Sequence, residues 1–154
     1  MVKPNPRSVP IAELTPLMAE ILSQGGSVEL TVTGNSMRPM LFDRCSRVRL
    51  TAAHELRRGD IPLYRRDGGS YVLHRIVAEQ GRCYTCCGDN QWNLEPGIRR
   101  DQIVAVVTDF ARKERWRSCN GFWYGLYWRF WVAVRPLRRL IFGGAHYMKR
   151  MLVG

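Results

Sequence analysis

Short alternating runs, separated by turn signals, fill the sequence between residues 28 and 111 and constrain the fold most strongly. In the first run Val28, Leu30 and Val32 alternate with polar neighbours, as in a strand with one buried face. Glycine-containing turns at 58–60, 67–69, 80–81 and 88–90 separate the later runs. The predicted strands are residues 28–32, 46–50, 61–66, 71–79, 82–87 and 101–111. This succession predicts an all-β domain, either a small barrel or a sandwich.

Helices are predicted only at the two ends of this β region. The first ten residues hold three prolines and are interpreted as a loose arm. Thr15 is a candidate N-cap and Pro16 a first helical residue, and two glycines follow at 25–26, which predicts a short helix over 16–24. A basic, aromatic segment predicts a second helix over about 122–142, bent near Pro136.

The net charge of +11 is concentrated in the C-terminal segment. Residues 111–154 hold ten Lys or Arg and one acid, Glu114, so they carry +9 of that total. We therefore divide the chain into a β domain, 1–110, and a C-terminal appendage, 111–154. A charge excess of this kind favours a polyanionic partner. Residues 122–150 could contact an anionic membrane surface or an acidic leader peptide. Nucleic acid is the less favoured partner. A helix packed on the barrel with a solvated basic face remains an alternative.

Five cysteines do not form the pattern of a secreted disulfide framework, so a cytoplasmic protein is expected, with a peripheral contact at the inner face of the membrane left open. The start "MVKPNPRSVP" has no apolar core and predicts no signal peptide, and no apolar run is long enough to span a bilayer. Cys83 and Cys86 form one C-x-x-C, but residues three apart on a strand face opposite sides. No metal or other cofactor is expected.

Ser36 and His74 are the candidate chemical groups. Ser36 lies in "GNSMRPML", where glycine before it and proline after it would present its hydroxyl in a turn. His74 lies inside the apolar alternation "YVLHRIV", where a buried imidazole needs a polar partner. His54 and His146 are interpreted as surface residues. From the residues alone, an ordinary turn serine and a satisfied core histidine remain alternative readings.

Four segments in order, "GNSMRPML", "RRGDIPLY", "YVLHRIV" and "CCGDNQWNLEP", resemble the characteristic boxes of the signal peptidase I and LexA-type clan of serine peptidases. The resemblance covers roughly residues 27–109. A histidine in the third box makes the chain similar to the archaeal and endoplasmic-reticulum branch, whose members use a Ser/His pair with an acid. The resemblance implies the coiled β-barrel of that clan, in a free-standing soluble member.

Carried over residue by residue, the resemblance makes Ser36 the nucleophile and His74 the general base. A histidine can accept the serine proton near neutral pH and needs an orienting carboxylate on its other nitrogen. Asp89 of the "GDN" segment is favoured for that role, and Glu95 is the alternative. Asp60 matches a residue that is structural in the family.

The resemblance also implies which residues surround the reacting atoms. With Gly34 two places before the nucleophile, backbone N–H groups near Asn35 and Ser36 would supply the oxyanion hole. Met37 and the pair Pro39-Met40 would line the substrate cleft. Pro62 replaces the valine of the family's second box, and its missing N–H suggests an edge strand.

The predicted function is cleavage of a peptide or leader-like segment through an acyl-enzyme, with the substrate pairing as a strand beside Ser36. The alternative from another class is a non-catalytic module that keeps the fold and uses its basic tail on a membrane or on nucleic acid. Self-cleavage in the proline-rich arm is a further alternative within the enzyme class.

Overall fold

The computed structural model describes residues 9–137, and most of its regular structure is β. Within this described range, two α-helices flank nine strands and one short 3₁₀ helix, Arg100–Gln102. The helices are α1, Ile11–Ser23, and α2, Phe122–Ala133. The strands are β1 Val28–Thr31, β2 Ser46–Thr51, β3 Pro62–Arg65, β4 Tyr71–Leu73, β5 Arg75–Gln80, β6 Cys83–Cys87, β7 Glu95–Arg99, β8 Ile103–Arg112 and β9 Arg115–Ser118.

The strands form two antiparallel sheets. The larger sheet has the order β1-β2-β8-β3-β4, with β9 also paired to β8, and it is curled into a half-barrel. Its central strand β8 is the longest, and Val106 pairs with Thr51 on one side and with Pro62 on the other. The smaller sheet is β5-β6-β7. The arrangement agrees with the predicted all-β class and with a small barrel.

Two clusters of buried side chains form the core. The larger lies inside the half-barrel and includes side chains from α1, from the Ser36 turn and from α2, represented by Met18, Met37 and Tyr124. The smaller joins the two sheets and contains Leu56, Tyr64, Ile76, Cys86 and Ile98. Because the smaller cluster contains residues from both sheets, the two sheets pack as one β domain.

Helix α1 begins earlier than the sequence predicted. It starts at Ile11 after an N-cap at Pro10, so Pro16 lies inside the helix and the predicted start at residue 16 is wrong. The Thr15 hydroxyl donates to the Ile11 carbonyl at 2.8 Å instead of capping the N-terminus. Ile11, Met18 and other apolar residues on one face of α1 pack into the larger core. This burial stabilises the first turn despite the backbone bond that Pro16 cannot make.

The single strand predicted over 71–79 is wrong, because the chain changes sheets at His74. β4 ends at Leu73 and belongs to the larger sheet, whereas β5 begins at Arg75 and belongs to the smaller. The apolar alternation continues across this junction, so periodicity alone does not reveal the change. His74 is thereby fixed where the two sheets meet.

Two strands escaped prediction, and one strand has a different position in its sheet. β7 contains Pro96 and Gly97, and β9 is basic, so neither has an apolar alternation. β3 lies between β4 and β8, so the edge position expected from Pro62 is also wrong. Pro62 is the first residue of β3, a position at which a strand tolerates a missing N–H.

The C-terminal segment continues the β domain rather than starting after it. The predicted boundary at 110/111 falls inside β8, and the next strand, β9, pairs with β8. Helix α2 ends at Ala133, and after a turn at Val134 residues 135–137 are helical again, which agrees with the predicted bend near Pro136; residues 138–142 of the predicted helix lie outside the described part. His146 and most of the N-terminal arm also lie outside it. Within residues 9–137, neither helix has the length and apolar character needed to cross a membrane.

Candidate functional site

Ser36 lies in a compact turn between β1 and β2. Gly34 adopts a φ of +88°, which glycine tolerates best, and its N–H donates to Asp43 Oδ1 at 2.8 Å. After the serine, the Arg38 N–H donates to the Asn35 carbonyl at 3.2 Å and the Leu41 N–H to the Met37 carbonyl at 2.9 Å. The turn is therefore fixed on both sides of Ser36, and the serine side chain remains partly exposed.

The turn at 88–90 packs directly on the Ser36 backbone. The Asn90 N–H donates to the Ser36 carbonyl at 2.7 Å, and Asn90 Nδ2 donates to the Asn35 carbonyl at 3.2 Å. A β-carbon at Gly88 would lie 2.6 Å from the Ser36 carbonyl oxygen. The absence of a side chain at Gly88 is thus what lets the two turns approach. Gly88 and Asn90, the first and last residues of "GDN", therefore contact the serine turn.

The β5-β6 ladder places His74 near the same turn. In the β5-β6 ladder Arg75 pairs with Cys87, so the next residues outward, His74 and Gly88, come opposite each other. Gly88 in turn contacts the Ser36 backbone. Ser36 and His74 therefore flank one glycine, although they are 38 positions apart in the sequence. Within residues 9–137 no hydrogen bond joins the Ser36 hydroxyl to the His74 ring.

The carboxylate beside His74 belongs to Glu95. His74 Nδ1 lies 2.9 Å from Glu95 Oε1, and the ring itself is buried, with 2 % exposure. Because Nδ1 faces the carboxylate, the bond is satisfied when Nδ1 carries the proton and Nε2 is the unprotonated nitrogen. This tautomer is the one a general base needs.

Two further side chains hold Glu95 in place. The Arg66 guanidinium donates to both carboxylate oxygens, at 2.5 and 2.8 Å. The Tyr64 hydroxyl donates to Glu95 Oε2 at 3.0 Å and lies 3.4 Å from His74 Nδ1. Tyr64 is fully buried in the smaller core, so it gives this group a rigid wall. His74, Glu95, Arg66 and Tyr64 therefore form one hydrogen-bonded group.

The electrostatics keep the imidazole neutral and the carboxylate charged. Burial lowers the pKa of His74 below its usual value, and the Arg66 charge lowers it further, while Glu95 acts in the opposite direction. Hydrogen bonds from Arg66 and Tyr64, with Arg66 first in importance, lower the pKa of Glu95. At neutral pH His74 is therefore an uncharged base held by a charged acceptor.

Asp89 makes an ion pair with Arg75 and not with His74. Arg75 Nε and Nη2 donate to the two carboxylate oxygens at 2.8 and 2.7 Å. Both side chains are almost completely buried, with exposures of 0 % and 3 %. The remaining guanidinium donor reaches the Gly59 carbonyl at 2.9 Å and the Tyr124 hydroxyl at 2.8 Å. The structure thus places the favoured carboxylate in a closed ion pair and the alternative one, Glu95, on the histidine.

Helix α2 completes the surroundings of Asp89. The Tyr127 hydroxyl donates to Asp89 Oδ2 at 3.1 Å, and Trp131 Nε1 donates to the Asp89 carbonyl at 2.8 Å. Tyr124, one turn earlier, is buried in the larger core. The C-terminal helix is therefore fastened to the turn that supports Ser36.

The remaining predicted site residues are placed as follows. Asn35 and Pro39 are exposed beside Ser36, whereas Met37 and Met40 are each 2 % exposed and pack in the larger core. The two methionines anchor the serine turn from below and do not line an open cleft as expected. Within the described chain the Ser36 N–H donates no hydrogen bond, so it remains available to a ligand.

Asp60 lies apart from this group, whereas Cys86 borders it, because Cys86 pairs in register with Glu95 and shares the smaller core with Tyr64. Asp60 Oδ2 accepts from the Arg57 N–H at 2.8 Å, which closes its own turn. Cys83 and Cys86 both lie on β6 and neither forms a disulfide. Between residues 9 and 137, no three His, Cys, Asp or Glu side chains are grouped closely enough to hold a metal ion.

Sequence reasoning missed Arg66, Tyr64, Tyr127 and Trp131. Tyr64 lies near the end of β3 and Arg66 directly follows the strand, and a spacing of two places side chains on one face of an extended segment. It could have indicated a polar pair near His74, because the β3-β4 hairpin leads directly into that histidine. The contacts of Tyr127 and Trp131 with Asp89 had no comparable signal.

Comparison with known proteins does not assign the chain to a family. A scan against protein-family models gives no match, and a search of curated proteins for similar sequences gives none either.

Proposed function

We propose that this protein is a serine peptidase that uses Ser36, His74 and Glu95. The observation that carries the proposal is the buried His74 ring, whose Nδ1 lies 2.9 Å from a charged carboxylate, at a strand position opposite Gly88, the glycine that packs on the Ser36 backbone. A histidine oriented in this way and a serine displayed in a fixed turn are the parts of a nucleophile-base-acid site.

In the proposed reaction, His74 Nε2 takes the Ser36 proton as Oγ attacks the peptide carbonyl carbon. The tetrahedral species collapses, the C–N bond breaks, and the imidazolium returns the proton to the leaving amine. The acyl group is then an ester of Ser36, which water hydrolyses with His74 again as the base. Glu95 stabilises the imidazolium that exists during both steps, and Arg66 and Tyr64 hold Glu95 at the correct distance.

The oxyanion would be stabilised by backbone N–H groups in the serine turn. The free N–H of Ser36 supports this, since preorganised donors contribute most when they need no rearrangement. We further propose the coiled barrel of the signal peptidase and LexA-type clan, and an extended peptide as substrate. β1 and β4 are the end strands of the larger sheet, β1 leads into the Ser36 turn, and β4 ends beside His74. A peptide could pair as a strand with either edge.

The test is a cleavage assay on a pool of denatured peptides, with new termini identified by mass spectrometry. Ser36→Ala and His74→Ala should each remove cleavage. Ser27→Ala and His54→Ala are matched controls, because both residues are exposed and lie outside the group described above, and they should retain activity. Circular dichroism would verify that all four variants are folded.

Cleavage lost only in the Ser36 and His74 variants would support the proposal and would also give the sequence preference. Wild-type protein that is folded but cleaves nothing in the pool, in the presence or absence of vesicles, would contradict it and favour the non-catalytic module. Cleavage that survives Ser36→Ala would also contradict it.

A further inference from the structure

Helix α2 is apolar on both of its faces. The inner face, at helical spacing, packs on the β domain through Tyr124, Tyr127, Trp128 and Trp131. The outer face is also aromatic or aliphatic, and its large side chains are open to solvent. Their exposures are 78 % for Phe122, 77 % for Trp123, 51 % for Leu126 and 60 % for Phe130. A surface helix normally carries polar residues on that side.

This outer face, defined as Phe122, Trp123, Leu126 and Phe130, is contiguous along the helix. Residues 122, 126 and 130 are spaced by four, so their side chains follow one another on one stripe. Leu137, also exposed at 57 %, lies seven residues after Phe130, beyond the end of α2. Single exposed apolar residues are common on protein surfaces, whereas a continuous apolar patch on a small domain indicates an interaction surface.

The charge of the C-terminal sequence indicates the kind of partner. After Glu114 the sequence contains eight Lys or Arg and no acid. Arg129 is exposed on α2 with its guanidinium 5.0 Å from the Trp128 ring, so the cation lies at the margin of the patch. An apolar face with aromatic residues and arginine, without acids, complements a lipid surface that has acyl chains below and anionic headgroups above.

Two other occupants fit the same face less well. A second copy would place the same uncompensated positive charge against itself, which is repulsive. Nucleic acid requires cations across its contact face, whereas the outer face of α2 is mainly apolar. We therefore propose that the outer face of α2 docks on an anionic lipid bilayer and lies in its interface, without crossing it.

Docking in this way would bring the Ser36 turn close to the membrane. Tyr127 and Trp131, on the inner face of α2, hold the turn at 88–90 that supports Ser36. The thickness of one helix, about 10 Å, would then separate that turn from the headgroups. This inference does not depend on peptidase activity, because it rests on the surface of α2 alone.

The experiment is co-sedimentation of the full chain with phosphatidylcholine vesicles, with and without phosphatidylglycerol. Binding should require phosphatidylglycerol and weaken as salt increases, since the arginines contribute electrostatically. Leu126→Ser should weaken binding about tenfold, because one buried leucine side chain is lost from the lipid contact. Leu17→Ser on α1 is the matched control, with a leucine that is 56 % exposed, and it should bind like the wild type. Peptide cleavage without vesicles should be equal in both variants.

Three results would overturn the proposal. The first is no sedimentation with anionic vesicles by folded protein. The second is equal vesicle binding by the Leu126 and Leu17 variants, which would assign the contact to another surface. The third is a wild-type dimer in analytical ultracentrifugation that Leu126→Ser dissociates, which would assign the face to a second copy. A salt-sensitive complex with RNA that Leu126→Ser leaves intact, together with absent vesicle binding, would favour nucleic acid.

Discussion

His74 and Arg75 are neighbours in the sequence, yet each meets a carboxylate in a different environment. Arg75 and Asp89 are sealed, with side-chain exposures of 0 % and 3 %. Glu95 and Arg66, on the His74 side, are 23 % and 40 % exposed. Both sites join a carboxylate to a nitrogen base through short hydrogen bonds. They differ in access to solvent and in whether the nitrogen group can exchange a proton near neutral pH.

The two pairs differ in whether they can transfer a proton. A guanidinium does not lose its proton in proteins, so the Arg75-Asp89 pair can hold elements together but cannot transfer a proton. An imidazole with a lowered pKa and a partly open partner can do so. Tyr127 and Trp131 add further bonds to Asp89, which closes that site from outside. Burial with complete pairing therefore marks Asp89 as structural, and partial access is what the proposed role of Glu95 requires.

The largest expected effect is on catalysis, in Glu95→Gln. The glutamine amide can donate to His74 Nδ1 and stabilise the tautomer that cannot act as a base, so kcat/KM for peptide cleavage should fall about 10⁴-fold. The free energy of unfolding should change by under about 1 kcal/mol, because Glu95 and Arg66 are partly exposed and the glutamine amide can still hydrogen-bond to His74 and Tyr64. Urea denaturation followed by fluorescence supplies that second value. Unchanged kcat/KM would remove Glu95 from the proposed mechanism.

Asp89→Asn should show the reverse pattern, with a loss of stability of about 3–5 kcal/mol, because it leaves Arg75 buried and uncompensated. The measurement is the midpoint of urea unfolding. Asp67→Asn is the matched control, since the Asp67 side chain is 82 % exposed and lies 3.5 Å from Arg99 across the surface. It should cost less than about 1 kcal/mol. Equal losses in the two variants would mean that the sealed pair is not what stabilises the fold.

Gly88→Ala tests the junction between the two sites. The new methyl group would meet the Ser36 carbonyl oxygen at 2.6 Å, so the turns must separate, at a cost of about 1–3 kcal/mol. Cleavage should fall as well, because Ser36 moves relative to His74. Gly68→Ala is the control: apart from its two chain neighbours, a methyl group there would have no atom within 4 Å, and little change is expected. A fully active, stable Gly88 variant would contradict the contact.

The smallest effect is expected in Arg66→Gln, and it should appear in the pH profile. In the wild type, kcat/KM should fall at acidic pH as His74 becomes protonated, with the midpoint below the usual histidine pKa. Removing the Arg66 charge raises the pKa of His74, so this acid limb should move to higher pH. Arg65→Gln, at an exposed neighbour, should leave it in place. A shift to lower pH in Arg66→Gln would contradict the assigned electrostatics.

The sequence predicted most strands of the larger sheet and the two groups that flank Gly88. Alternation over 28–32 and 101–111 was readable because one face of each strand is buried. β7 was missed because Pro96 and Gly97 interrupt the apolar alternation of a strand. The start of α1 was missed because a proline such as Pro16 is typical of the first helical position. The choice between Asp89 and Glu95 stayed open for a related reason. Both are single acids in loops or at strand ends, and only their contacts distinguish them.

The sequence by itself determined the all-β class, the turn that displays Ser36, and the concentration of positive charge after Glu114. These features depend on local backbone preferences and on composition, which neighbouring residues fix. The tertiary structure alone decided that His74 lies between two sheets, that Glu95 contacts it, and that α2 presents an apolar outer face. Each of these depends on strand order and packing, which bring together residues that no local pattern connects.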